Sequence, residues 1–179
     1  MTTPRTLLSC VCCLCLIFVT GCRREESPDA NADIEERQKE IEAMFAEYDA
    51  KATALPYVPV EKTEDGQLVL ADANFMETVN EGGILVVDFW MDDCYFCEQM
   101  EPLIKQMTIQ YTGAIRFARL HNSNAIMTEK YRVRAFPTFM IFVDGKIFTM
   151  LSGAQPPERF RMILDKVLLD SQAKQDGKR

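Results

Sequence analysis

The segment Ile84-Leu85-Val86-Val87-Asp88-Phe89-Trp90 constrains this chain more than any other. It is a nearly unbroken run of β-branched and aromatic residues, the pattern of a strand covered on both faces. Such a strand needs a layer over each side, and the flanking sequence supplies alternating elements. Before it, Leu68-Val69-Leu70 reads as a short strand after the Asp65-Gly66 turn. Asp72 is placed to cap a helix carrying Phe75, Met76 and Val79, which Gly82-Gly83 stops. After it, a helix is predicted from about Cys94 to Tyr111, bent at Pro102 and ended by Gly113. A strand over 115–120 and a short helix over 125–131 follow. Two strands, 138–143 and 146–151, flank Asp144-Gly145, a strong hairpin signal. An amphipathic helix over 158–169 closes the pattern. The order βαβαβαββα predicts an α/β domain over 57–170, with a central mixed sheet flanked by helices and a flexible tail over 171–179.

The first residues read as an address. Arg5 precedes an uncharged run from Leu7 to Val19, thirteen residues long. A membrane-spanning helix needs about 20, so this is the length of a secretory signal core. It ends in Val19-Thr20-Gly21-Cys22, which resembles the lipobox of bacterial lipoproteins, whose cysteine receives a diacylglyceryl thioether. The resemblance implies a signal peptide over 1–21, lipidation at Cys22, and a protein anchored to a membrane in the bacterial periplasm. An uncleaved anchor or a plain secreted protein are the other readings. Residues 22–56 then read as a polar tether and a helical stalk. Asp33 and Glu36 have capping-box spacing, and Ile34, Ile41, Phe45, Tyr48 and Ala52 share a helical face. That face either docks on its own domain or pairs with a second copy.

Composition excludes several functions. The net charge is -7, which argues against nucleic acid as a partner, because phosphate recognition needs clustered Lys and Arg. Of seven cysteines, five lie between Cys10 and Cys22, so only Cys94 and Cys97 remain for the folded domain. Neither a multi-disulfide scaffold nor a four-cysteine zinc site fits.

Cys94-Tyr95-Phe96-Cys97 follows the buried strand and opens a helix. A helix N-terminus stabilises a thiolate through its free N–H groups and its dipole. Cys94 is therefore the exposed, reactive thiol, and Cys97, one turn inside, the buried resolving one. The three-residue offset brings both sulfurs to one face. A structural disulfide would close too short a loop to constrain the unfolded chain. A metal site lacks ligands, since His121 is the only histidine. Covalent haem needs a histidine after the second cysteine, where Glu98 stands. No cofactor is expected.

These features resemble the thioredoxin superfamily over residues 68–169. Val87-Asp88-Phe89-Trp90 is similar to its central strand, Cys94 to Cys97 to its redox pair, and Pro102 to its helix-kinking proline. Arg134-Ala135-Phe136-Pro137-Thr138 is similar to its cis-proline segment, and Gly145 and Gly153 also match. The resemblance implies a thioredoxin fold, with Cys94 as nucleophile, Cys97 as resolving thiol and Asp88 as a buried proton-shuttling carboxylate. It places Arg119 near that carboxylate, where a lysine is frequent, and Pro137 beside the pair. Phe136 and Thr138 would meet a substrate strand. The domain looks like the periplasmic Dsb-type members, and the layout of lipobox and stalk is similar to that of small, lipid-anchored DsbH-like reductants and other membrane-tethered thioredoxin-like proteins.

Physical chemistry adds to this. A carboxylate inside an apolar strand requires a raised pKa or a charged neighbour; a strand-end Asp88 touching water is the alternative, as is an ordinary trans Pro137. Tyr95 and Phe96 either form an apolar lip for substrate or pack at the helix start. Asp93 stands where a tryptophan is usual, and Tyr95-Phe96 replaces Gly-Pro. No cation lies between the cysteines, while Asp92, Asp93 and Glu98 surround them with negative charge. That field disfavours the very stable thiolate of a strong oxidant. The expected activity is extracytoplasmic reduction or isomerisation of protein disulfides, with a membrane-borne electron donor. A disulfide-forming oxidase, a dedicated donor to one partner and a redox-inert binding module are the alternatives.

Overall fold

The computed structural model describes residues 28–176. The signal peptide expected over residues 1–21 and the lipidation expected at Cys22 fall outside the described residues. The chain divides into a unit ending at Gln38 and a second unit from Lys39 onward. In the first, a helix α1 (Pro28–Thr53) begins, earlier than the capping-box reading placed it. Proline suits a first helical turn because its missing N–H would have no partner there. Asp33 therefore sits inside the helix, paired with Arg37 at 3.1 Å. Among the described residues no helix is long and apolar enough to cross a membrane.

The second unit contains the predicted α/β domain. Its elements are β1 (Glu61–Lys62), β2 (Leu68–Leu70), α2 (Asp72–Asn80), β3 (Ile84–Trp90), α3 (Tyr95–Gln110), β4 (Ile115–His121), α4 (Ala125–Lys130), β5 (Thr138–Val143), β6 (Lys146–Ser152) and α5 (Pro157–Asp176). They form one mixed sheet in the order β1-β2-β4-β3-β5-β6. Strand β4 runs parallel to β2 and β3, and β5 antiparallel to β3 and β6. Strand β1, absent from the sequence reading, is too short and too polar to produce a periodic signal.

Alternation along β3 explains the two-sided core. Ile84 and Val86 pack with Leu103, Ile104, Phe160 and Leu164 on one face. Leu85, Val87 and Phe89 pack with Phe75, Leu120 and Phe142 on the other. A strand reverses its side chains at every residue, so a run buried on both faces must be apolar throughout. The β5–β6 turn uses Asp144 and Gly145, both at positive φ, as a tight hairpin requires. A Cβ on Gly145 would also meet Asn80 Oδ1 at 3.3 Å.

Two expectations change. Asp72 does not cap α2: Ala71 holds that position, and Asn74 Oδ1 accepts the Ala71 N–H at 2.8 Å. The Asp72 carboxylate instead accepts the Ile126 and Met127 N–H groups, at 3.2 and 2.9 Å, and so satisfies the start of α4 from another element. The tail read from residue 171 onward remains helical to Asp176, with Ser171 buried. No Gly or Pro interrupts residues 158–176, so nothing in that stretch stops the helix.

The second half of α1 docks on the domain. Ala52 is buried in the core beside Leu70 and Phe75, and Phe45 meets Tyr131 edge to face. Buried Lys130 pairs with Asp49 and lies over the Phe45 and Tyr131 rings. Removing the anion leaves an uncompensated ammonium, whose cost the partial exposure of Asp49 reduces. Asp49→Asn is expected to lower stability by about 1–3 kcal/mol, and Asp49→Asn/Lys130→Met to recover most of it. Urea unfolding of the three proteins checks this.

Candidate active site

The site grows from the C-terminal ends of β3 and β4. Their register pairs Ile84 with Ile115, Val86 with Phe117, Asp88 with Arg119 and Trp90 with His121. Period two therefore puts Asp88, Trp90, Arg119 and His121 on the face that carries α3, in line with its apolar core. The same face is hydrophobic at one end and polar at the other.

From Trp90 the chain turns through Met91 and Asp92 into Asp93, which adopts positive φ (54°), a conformation Asp tolerates better than most residues. Cys94 is the N-cap of α3. Its sulfur accepts the Cys97 N–H at 3.1 Å. Cys94 and Cys97 are joined as a disulfide, with Cα atoms 5.2 Å apart. Both are half-buried. The expected contrast of an exposed and a buried thiol is absent here, because Cys97 turns toward Cys94 in the first helical turn, at the surface. What distinguishes them is position at the helix end. Brief alkylation of the reduced protein is expected to modify Cys94 several-fold faster than Cys97, because Cys94 holds the N-cap. Peptide mapping checks the order.

A cavity of about 180 Å³ lies beside the disulfide, walled by Cys94, Cys97, Asp88, Trp90, Glu101 and Arg119 among others. Asp88 Oδ1 is fully buried with no hydrogen-bond partner. Burial pushes its carboxyl from 3.8 up to about 7; Arg119 opposes this rise and Glu101 adds to it. A carboxyl poised there takes or gives a proton near neutral pH. The Arg119 guanidinium stacks over the Trp90 ring at 4.0 Å, which holds the cation beside Asp88. Trp90 in turn meets His121 edge to face, ring centroids 4.7 Å apart. His121 Nε2 lies 3.1 Å from Asp92 Oδ2 without hydrogen-bond alignment, while Nδ1 accepts the Ser123 N–H at 3.3 Å.

The remaining expected residues do not line this cavity. Tyr95 and Phe96 are 66% and 57% exposed, edge to face with each other, so they stand in solvent beside the disulfide instead of packing under it. The Phe136–Pro137 bond is cis. Thr138 pairs with Phe89 near the end of β3, which brings Pro137 to the edge from which the cysteine loop leaves. Phe136 is half-buried, and Thr138 is buried with its hydroxyl donating to the Ala135 carbonyl at 2.7 Å. The Thr138 side chain therefore braces the proline loop and does not present itself to substrate. Trp90, Glu101 and His121 were not singled out as site residues from the sequence. Strand alternation carried to the ends of β3 and β4 is the signal that finds Trp90 and His121.

Residues 66–166 match the profile of the Thioredoxin family. The chain is 39% identical over 85 residues to an M-type chloroplastic thioredoxin of Brassica napus, covering 47% of this chain and 48% of that one. It is 36% identical over 109 residues to the chloroplastic thioredoxin M2 of Arabidopsis thaliana, covering 60% and 59%. A thioredoxin of Staphylococcus aureus is 33% identical over 100 residues, 55% of this chain and 95% of its own length. The chain spans about half the length of the two plant relatives and nearly all of the bacterial one. The chain belongs to the thioredoxin family, and its matched region contains the whole sheet from β2 to β6. Family and cysteine geometry together support thiol–disulfide oxidoreductase chemistry in general terms.

Proposed function

We propose that this protein is a lipid-anchored, extracytoplasmic thiol–disulfide oxidoreductase that reduces or isomerises protein disulfides. The observation that carries the redox reading is the Cys94–Cys97 pair at the N-terminus of α3, over the buried Asp88 carboxyl. In the reduced protein the Cys94 thiolate attacks one sulfur of a substrate disulfide. A mixed disulfide forms and one substrate thiolate leaves. Cys97 then loses its proton, with Asp88 as acceptor directly or through water, and attacks the Cys94 sulfur. The Cys94–Cys97 bond closes and the second substrate thiolate leaves. Two electrons pass from the dithiol to the substrate, and two protons end on the substrate thiols.

The direction rests on charge. Asp92, Asp93 and Glu98 border the pair and oppose the helix dipole, which keeps the reduced form from unusual stabilisation. We expect a potential nearer about -270 mV than about -120 mV. Acceleration of insulin reduction by dithiothreitol tests the activity, and equilibration with a thiol buffer tests the direction. A value above about -150 mV identifies a disulfide-forming oxidase instead. The anchor rests on Val19-Thr20-Gly21-Cys22. Outside the cytoplasm such a reductant requires a membrane-borne electron donor. Cys22→Ala is expected to abolish incorporation of labelled fatty acid in cells; equal labelling of the variant removes the anchor from the reading.

A further inference from the structure

Where β6 ends, the chain touches the proline loop. Gly153 follows the strand at φ 79°, a conformation open to glycine, and its N–H donates to the Pro137 carbonyl at 2.8 Å. The turn that carries it is gripped by one side chain. Gln155 Nε2 donates to the Ser152 and Gly153 carbonyls, at 3.1 and 3.0 Å. The Gln155 N–H in turn donates to Met100 Sδ at 3.3 Å, three residues after Cys97 on α3. On the other side stand Pro156 and Pro157, the latter the first residue of α5. Their rings fix φ, and a residue before proline is held extended. Gln155 therefore links α3 and the start of α5 to the turn after β6, and that turn links to Pro137.

The residue type is a second, independent observation. Gln155 is 8% exposed, and its Oε1 is buried with no hydrogen-bond partner. A leucine would fill the same space without leaving an acceptor unsatisfied. The amide is therefore a destabilising choice for this position, and what it supplies is its pair of N–H donors. They hold two carbonyls of a turn whose Ser152 and Ala154 are exposed, where water would otherwise serve as the partner.

What the turn holds matters for substrate. The Phe136 N–H and carbonyl make no backbone hydrogen bond among the described residues. They precede Pro137 at the edge from which the cysteine loop leaves, so an extended segment crossing the disulfide meets an open donor and an open acceptor. Strand addition needs such groups at a fixed position, and a loop that must be ordered at each encounter binds more weakly. We propose that Gln155 is a positioning residue for polypeptide substrates: it fixes the turn after β6 and, through the Gly153–Pro137 bond, presents the Phe136 backbone to a substrate strand. The role rests on the redox reading above and divides its substrates in two. Polypeptide disulfides use the brace, whereas small disulfides have no backbone to pair.

Gln155→Leu keeps the bulk and removes both donors. Oxidation of the reduced protein, followed by the fluorescence of Trp90, its only tryptophan, gives second-order rate constants with insulin and with bis(2-hydroxyethyl) disulfide. The substitution is expected to lower the insulin constant about fivefold, the weight of one neutral hydrogen bond (about 1 kcal/mol). The constant for the small disulfide should fall less than twofold. Hydrogen exchange at the Gly153 N–H is expected to quicken at least about fivefold in the same variant, because the turn that aims it at Pro137 is no longer held. Gln155→Met repeats both measurements with an unbranched side chain if the leucine variant folds poorly. An equal fall with both disulfides overturns the proposal, because it assigns Gln155 to the thiols or to the fold at large. Insulin reduction at the parent rate overturns it as well, and so does Gly153 exchange at the parent rate; in these cases the redox reading stands and only the role of Gln155 fails. If neither disulfide oxidises the parent protein, the redox reading fails and the role with it.

Discussion

Replacing Asp88 with Asn is expected to stabilise the oxidised domain at pH 8 by about 1–3 kcal/mol and to leave it nearly unchanged at pH 4. The sign follows from the direction of the shift. Burial raises the Asp88 carboxyl from 3.8 to about 7 in the folded protein, so the native state holds this proton more tightly than the unfolded chain. Its contribution to stability is present below about pH 4 and is lost as pH rises through about 7. The full difference is worth roughly 4 kcal/mol at one factor of ten per 1.4 kcal/mol. Arg119 loses its anion in the variant, which takes back part of the gain. Urea unfolding at both pH values checks this; a loss at pH 8, or an equal gain at pH 4, contradicts the burial argument. The same substitution should cost function. With no carboxylate to accept the Cys97 proton, release of a mixed disulfide should slow about 10²-fold near neutral pH, the lower end of general base effects. First attack by Cys94 should change far less. An interior charge that destabilises the fold and serves the chemistry is the trade expected at an active site.

Cys94→Ser is expected to lower insulin reduction at least about a thousandfold, because a serine hydroxyl at neutral pH offers no thiolate-like nucleophile. Cys97→Ser should lose turnover as well, but by a different route. It retains the attacking thiol and lacks the group that releases it, so mixed disulfides should accumulate. Non-reducing gels of cells expressing the Cys97→Ser chain should show captured proteins that dithiothreitol releases, and the Cys94→Ser/Cys97→Ser chain should show none. Capture by Cys94→Ser instead of Cys97→Ser reverses the two roles.

Local signals carried most of the fold. The run from Ile84 to Trp90, the Asp144-Gly145 turn and the Gly82-Gly83 stop each act within a few residues, so each can be read without knowing what lies across the sheet. The spacing of Cys94 and Cys97 is of the same kind, and the structure joins them. What escaped depends on distance. Asp72 reads as the cap of its own helix, yet its carboxylate serves Ile126 and Met127, more than fifty positions away. His121 looked like an isolated histidine because its neighbours Trp90 and Asp92 arrive through the parallel pairing of β3 with β4. Family resemblance pointed to Asp88 and Arg119, but not to the ring of Trp90 that holds the guanidinium. The start of α1 at Pro28 was missed because the polar composition there produces no apolar stripe.

The pairing of β3 with β4 also makes this site a matter of phase. Deleting or inserting one residue between Ile84 and Asp88 would change none of the side chains that do the chemistry. It would move Asp88 to the opposite surface of the sheet, among Phe75, Phe142 and Leu120, and turn Phe89 toward α3 and the disulfide. Substitutions at the cleft can therefore adjust its charge one step at a time, while a change of length in this strand exchanges the two sides at once. Variation in such a site is confined to the letters and denied to the frame.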